Sequence, residues 1–195
     1  MRLPACLLAT VAILAPAALA HADDAPAPEA GPRSKWHPRY GAEIEAHGSI
    51  AAFDKFFVGM GGGARVTVPV WSHTPFKGFD NDLGVGIGLD VIRYAAYKPN
   101  DPSGSSLSLV AYYVPLSLQW NVWLGARASL FIEPTLLYRY AEYIDSCVGV
   151  GPKPCAPTTR FLPTGSAGLR FRIADRVSGT IRIGWPVASL GASWL

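Results

Sequence analysis

The chain of 195 residues is half hydrophobic, only 16% charged and carries a formal net charge of +3, which is apolar for a soluble domain and too balanced to hold a nucleic acid through its phosphates. Beyond residue 22 no apolar run approaches the ~18 residues of a membrane-spanning helix. A chain that spans lipid without helices must close into a β-barrel, because the bilayer offers no partners to open backbone groups.

Arg2, the apolar run Leu7 to Leu14, and Ala18-Leu19-Ala20 or Ala20-His21-Ala22 are the charged, apolar and small-residue regions of a secretory signal. Residues 1–22 are therefore expected to be cleaved on export. Cys6 precedes the apolar region, the wrong side for a lipidated cysteine. Asp23 to Arg39 is rich in Ala and Pro without periodicity and reads as a disordered periplasmic leader. That leaves 40–195 as the barrel domain.

From Tyr40 the chain alternates. Tyr40, Ala42, Ile44 and Ala46 oppose Gly41, Glu43, Glu45 and His47, giving a first strand with one apolar and one ionisable face. A second, Phe57 to Val70, puts Val58, Met60, Ala64, Val66, Val68 and Val70 outside, with Gly59, Gly61, Gly63, Arg65 and Thr67 inside. After a connection containing Pro75 and Gly78, the third strand follows around Leu83 to Val91, where Leu83, Val85, Ile87, Leu89 and Val91 alternate with Gly84, Gly86, Gly88 and Asp90. Residues 97–106 form a loop by composition.

The fourth strand runs to about Val122, with Val114, Leu116, Leu118, Trp120 and Val122 outside and Ser117, Gln119 and Asn121 inside. Leu124 to Arg127 is a tight turn, and the fifth strand, Ser129 to about Tyr143, turns Leu130, Ile132, Leu136, Tyr138 and Tyr140 outward and Glu133, Thr135 and Arg139 inward. This turn sets Gln119 opposite Glu133, polar facing polar. The stretch holding Cys147 and Cys155 comes next. In an exported protein these two are expected to form a disulfide, and a metal site would need a second ligand pair that the sequence lacks. No cofactor or metal is expected.

A sixth strand, Phe161 to Ile173, faces Leu169, Phe171 and Ile173 outward and Thr164, Ser166, Arg170 and Arg172 inward. After the turn Ala174-Asp175-Arg176, the seventh, Val177 to Trp185, sets Ile181 and Ile183 against Thr180 and Arg182. The last, after Pro186, sets Leu190, Ala192 and Trp194 against Ser189, Gly191 and Ser193. Eight antiparallel strands is the even number that a closed up-and-down transmembrane barrel requires. With the short turns periplasmic, the longer Pro/Gly loops face out. Tyr40, Trp71, Trp120, Trp123 and Trp194 then gather at the periplasmic rim, while Phe56, Phe57, Tyr94, Tyr97, Tyr112, Tyr138, Tyr140, Tyr143, Phe161 and Trp185 gather toward the outer one.

The whole region after residue 40 resembles the small eight-stranded outer-membrane barrels of the OmpA and opacity-protein type, the porin-family barrel domains. The likeness is carried by Asn81 to Asp90, Val114-Pro115-Leu116-Ser117-Leu118-Gln119-Trp120-Asn121, Leu130-Phe131-Ile132-Glu133-Pro134 and Arg182-Ile183-Gly184-Trp185-Pro186. It implies an outer-membrane location in a Gram-negative envelope, contact with outer-membrane lipid and insertion by the barrel-assembly machinery, for which the chain offers the terminal Trp194-Leu195. Opacity proteins owe host-cell binding to long variable loops; the loops here are shorter, so that role is not carried over.

An eight-stranded barrel is about wide enough for side chains to fill. The lumen is expected to hold Glu43, Glu45, Asp90 and Glu133 against Arg65, Arg139, Arg170, Arg172 and Arg182, and in so narrow a space these should pair, since an unpaired buried charge costs several kcal/mol. Gly59, Gly61, Gly63, Gly84, Gly86 and Gly88 leave one wall nearly bare. Either the arginines of the opposite wall reach into that space, which close packing favours, or an arginine-walled hollow remains that suits an anionic or amphipathic guest. His47-Gly48-Ser49, preceded by Glu45, echoes the His-x-Ser pair of lipid-modifying hydrolases, but that face is the lumen, away from lipid.

The sequence thus predicts a monomeric, non-enzymatic outer-membrane barrel with a structural or surface-interaction role and a lumen plugged by salt bridges. Gated passage or binding of a small solute in the lumen is the alternative. A soluble barrel of lipocalin type would carry its polar face outside and its apolar face inside, the reverse of this pattern.

Overall fold

The computed structural model describes residues 41–53, 57–71, 80–97, 106–143 and 157–195. The signal, the leader and Cys147 with Cys155 lie outside the described residues. Eight strands follow one another: β1 Glu43–Phe53, β2 Phe57–Trp71, β3 Asp80–Tyr97, β4 Ser106–Trp123, β5 Ala128–Tyr143, β6 Thr158–Ala174, β7 Val177–Trp185 and β8 Val187–Trp194. Each pairs antiparallel with its chain neighbours, and β1 with β8, so the sheet closes on itself and leaves no long free edge along most of its circumference.

Alternation sets which face looks in. Along β1, Glu43, Glu45, His47 and Ser49 are buried while Ile44 and Ile50 are exposed. Along β7, Ser178, Thr180 and Arg182 are buried while Ile181 and Ile183 are exposed. Met60, Leu118, Ile132, Leu169 and Leu190 continue the same apolar exterior around the barrel. An apolar surface this extensive marks contact with hydrocarbon or with protein, and the polar residues are left inside. Among the described residues no helix is long and apolar enough to cross a membrane.

The register agrees with the tight β4–β5 turn as pivot. Ser117 pairs with Thr135 and Trp120 with Ile132, which brackets Gln119 and Glu133 as opposite residues. Gly125 in this turn has a φ of 158°, at the edge of the positive range that glycine enters and L side chains rarely do. At the same end of the barrel β2 carries a bulge between Pro69 and Trp71. The extra residue lets Val70 and Trp71 both face outward, which accounts for the break in alternation there.

Two aromatics differ from their expected places. Trp123 is inward, following Gln119 and Asn121, and is only 8% exposed. Tyr94 leaves the outer rim for the lumen, where it is fully buried, because β3 keeps its pleat above Asp90 and turns Ile92 and Tyr94 in. There the apolar core of the molecule lies: Ala51, Ile92, Tyr94, Leu109, Ala111, Tyr113, Leu137 and Ala141, with Leu162 and Val187 packed against it.

Candidate functional site in the lumen

Below that apolar layer β1, β2, β3, β5, β6 and β7 direct charged side chains at one another. Arg182 on β7 donates from Nη1 to Glu45 Oε1 at 2.7 Å, from Nη2 to Glu45 Oε2 at 3.3 Å, and from Nε to Glu133 Oε2 at 2.8 Å. Glu133 uses its other oxygen on Arg65 of β2. Glu45 in turn meets His47 Nδ1 at 3.1 Å, and His47 Nε2 meets Asp90 of β3. One chain of contacts therefore runs Asp90, His47, Glu45, Arg182, Glu133, Arg65 through the lumen. Arg170 on β6 pairs separately with Glu43.

The electrostatics are balanced. An imidazole flanked by two carboxylates satisfies both only when each ring nitrogen carries a proton, and His47 then joins Arg65, Arg170 and Arg182 against Glu43, Glu45, Asp90 and Glu133. These side chains are all nearly or fully buried, a place where a charge is tolerable only with a partner and supporting hydrogen bonds. Phe131, inward from β5, lies under both Arg182 and Arg170, whose guanidinium carbons are 5.2 Å and 5.9 Å from its ring centre, so the flat cations rest on a π-face.

Layers of other polar groups close both ends of this network. Toward the short-turn end, Gln119 Nε2 donates to Asn121 Oδ1 at 2.8 Å, and Asn121 and the Trp123 indole donate to the two oxygens of Asp82, each at 2.5 Å. Toward the other end, the Tyr94 and Tyr113 hydroxyls bond at 2.6 Å within the apolar core. Arg139 stands across the strand pair from Tyr113.

Arg172 stands apart from the lumen network. It sits one residue from the irregular end of the β6–β7 ladder and folds back on the turn, donating to the Asp175 carbonyl at 2.8 Å and the Ala174 carbonyl at 3.2 Å. The strand ends before its side chain reaches the enclosed interior. The Ser49 hydroxyl gains no base from His47, whose two ring nitrogens are engaged by carboxylates.

The glycine wall is not a hollow either. A Cβ at Gly59 would meet the Tyr94 ring at 2.5 Å, one at Gly86 would meet Ser117 Oγ at 2.7 Å, and one at Gly84 would meet Thr67 at 2.9 Å; at Gly61, Gly63 and Gly88 it would strike backbone of the adjoining strand. The space is taken by neighbours on the same wall rather than by arginines from the far one, because the strands coil tightly where no Cβ holds them apart. The remaining hollow lies on the other side, against β6, β7 and β8. It is lined by His47, Arg65, Asp90 and Arg182 together with Thr135, Thr164, Ser166 and Ser189, and the centres of water molecules can occupy about 40 Å³ of it.

Sequence reasoning missed the Tyr94–Tyr113 layer and the Asp82, Asn121 and Trp123 floor. The signal for both was the pleat itself: counting by twos from Asp90 or Gln119 puts every one of these residues inside.

No family model matches this sequence, and no curated protein matches it either. Solved structures do. The attachment invasion locus protein Ail of Yersinia pestis, crystallised with the heparin analogue sucrose octasulfate, aligns over 78% of this chain and 96% of its own at 14% identity and a TM-score of 0.50. Neisserial surface protein A aligns over 79% and 95% at 15% identity and a TM-score of 0.46. Identity this low speaks to fold alone, and the fold is shared over nearly the whole of the first of these barrels: this chain is a closed, antiparallel, eight-stranded β-barrel with the fold of the small outer-membrane barrels.

Proposed function

We propose that the protein is a non-enzymatic barrel of the Gram-negative outer membrane, exported by a cleaved signal, whose lumen is plugged and whose task is structural or one of surface interaction. The observation that carries the plug is Glu133: its two oxygens hold Arg65 and Arg182 from different walls, so the charges cross-link the barrel instead of lining a path. Above them the apolar core leaves Ile92, Tyr94 and Tyr113 with no exposure, and a dry apolar constriction blocks ions by excluding water. Catalysis is disfavoured because His47, the imidazole beside Ser49, faces Glu45 and Asp90, and Glu133, beside Ser166, is held by Arg65 and Arg182.

The short turns at 124–127 and 174–176 are taken as periplasmic and the opposite mouth as extracellular. Outer-membrane lipid surrounds the apolar face, the barrel-assembly machinery inserts it, and the unit is a monomer. The test is planar-bilayer conductance of the refolded mature chain, after a heat-dependent gel shift has established that a barrel has formed. Silence is the expected result. Discrete channels would overturn the plug, and solubility without detergent would overturn the location.

A further inference from the structure

The wall of this barrel is uneven in height. β3 and β4 have 18 residues each, β7 has 9 and β8 has 8. β6 pairs with β5 from Thr158 onward but with β7 only from Gly165, opposite Trp185. The stretch Thr158 to Thr164 therefore has a strand neighbour on one side only. Pro163 within it has no N–H to leave unpaired, and Pro186 crowns the β7–β8 hairpin, its carbonyl accepting from Ala52 N at 3.0 Å. The wall steps down over β7 and β8 and leaves a notch.

The hollow, which Pro115, Leu137 and Val187 line beside the polar groups, reaches this notch. Thr164, Ser166, Arg182 and Ser189 line it from the lumen, whereas Gly165 and Trp185, which line it too, belong to the outward face. The hollow thus extends to the level of the hairpin that tops β7 and β8, where Trp185, Pro186 and Val187 line it. Among the described residues the mouth above is stoppered by the Ile92, Tyr94, Leu109 and Tyr113 layer, and the lower part of the wall is over β7 and β8.

We propose that the notch over β7–β8 is a lateral binding site for the head of a single-chain amphiphile from the outer leaflet, the head being small, uncharged and hydroxyl-bearing. This rests on the membrane location and orientation proposed above. Size comes first: 40 Å³ for water centres admits about three waters' worth of polar atoms, the scale of a glycerol head. Charge comes second. Arg65 and Arg182 are held by Glu133 and Glu45, and Asp90 by His47, so a charged head would have to break a buried pair. Thr135, Thr164 and Ser166 give their hydroxyl protons to the Glu133 carbonyl, the Thr135 carbonyl and the Glu133 carboxylate and so keep lone pairs that a hydroxyl-bearing head can donate to and a carboxylate or phosphate cannot. Third, the exterior beside the notch is apolar, with Ile183, Trp185 and Leu190 about two-thirds exposed, ready to receive a hydrocarbon chain.

Native mass spectrometry of the refolded mature barrel in detergent tests this, with monoolein, oleic acid and oleoyl lysophosphatidic acid as probes. Monoolein should be retained one to one and about tenfold more strongly than either anion, roughly the worth of one or two lost hydrogen bonds. Thr164→Leu, which fills the hollow from its lumen side, should cut retention about tenfold while the heat-dependent shift persists; Ser189→Leu serves if the first variant does not fold. Equal retention of all three probes, undiminished retention by a folded variant, or no retention at all overturns the site. Conductance reports on the plug separately, since a leaky barrel could still discriminate among the three amphiphiles and a silent one could fail to.

Discussion

Arg182 and Glu133 meet across the lumen of the barrel, Nε to Oε2 at 2.8 Å, although β7 and β5 are not hydrogen-bonded neighbours. The contact exists because β6, which lies between them, offers only Ser166 and Gly168 at that level, and Ser166 itself donates to Glu133 at 3.4 Å. Small residues on one strand thus permit an ion pair between its two flanking strands.

Removing Glu133 should therefore be among the costliest single changes in the molecule. Glu133→Ala leaves the buried Arg65 guanidinium without its carboxylate and takes one of two carboxylates from Arg182, which keeps Glu45, and breaking a buried pair by deleting one partner costs about 3 to 5 kcal/mol. The measurement is the urea midpoint of the barrel in lipid vesicles, read by the heat-dependent gel shift. Asp175→Ala supplies the contrast. That carboxylate reaches Arg172 at 3.5 Å from a fully exposed position, where screening removes most of the attraction, so the midpoint should not move. Equal effects from the two changes would mean that the lumen is hydrated enough to screen its charges.

Gly86 separates a bare wall from a filled one. A Cβ there would lie 2.7 Å from Ser117 Oγ and 3.2 Å from Thr67 Oγ1, and a leucine would have to displace both neighbours and the strands that carry them. Gly86→Leu should fail to give a heat-shifting barrel, the overpacking exceeding the usual 1 to 3 kcal/mol of one added methylene or two. Gly165→Ala should be tolerated, because its nearest neighbour would be the Glu133 carbonyl at 3.9 Å. A stable Gly86→Leu barrel would mean that the space beside β2 and β3 is open.

The fold was legible because one physical rule, apolar out and polar in at every second residue, holds over long stretches of the described strands, Glu43 to Ser49, Leu83 to Asp90 and Leu116 to Val122 among them. The tight turns then fixed the register, as Gln119 and Glu133 illustrate. The lumen was less legible wherever that rule inverts. Above Asp90 the inward residues are Ile92 and Tyr94 and an outward one is Arg93, so hydrophobicity ceases to report direction and Tyr94 reads as a rim aromatic. Partner choice was beyond the sequence altogether. Periodicity places Arg182, Glu45 and Glu133 on the inside but says nothing of their heights, which depend on how far each strand is staggered against the next. Arg172 failed for a related reason: parity put it inside, yet the strand ends within two residues, so there is no interior for it to enter.

Ile132 tests the solvent that this exterior was built for. It projects from β5 four residues inside the start of the strand, opposite Trp120 and Ala167, and is about half exposed; in water an arginine there would be harmless or favourable. In a bilayer the cost of an outward arginine depends on depth, about 2 to 4 kcal/mol at the midplane and falling to 0 to 1 near the interfaces. Ile132→Arg should therefore lower the urea midpoint in vesicles, while Val70→Arg, beside Trp71 at the short-turn rim and equally outward, should lower it much less. The comparison is informative because both side chains are apolar and exposed, so area removed from water cannot distinguish them; only the thickness of the surrounding hydrocarbon can. If both variants kept the wild-type midpoint, the apolar face would have to be covered by protein instead of lipid.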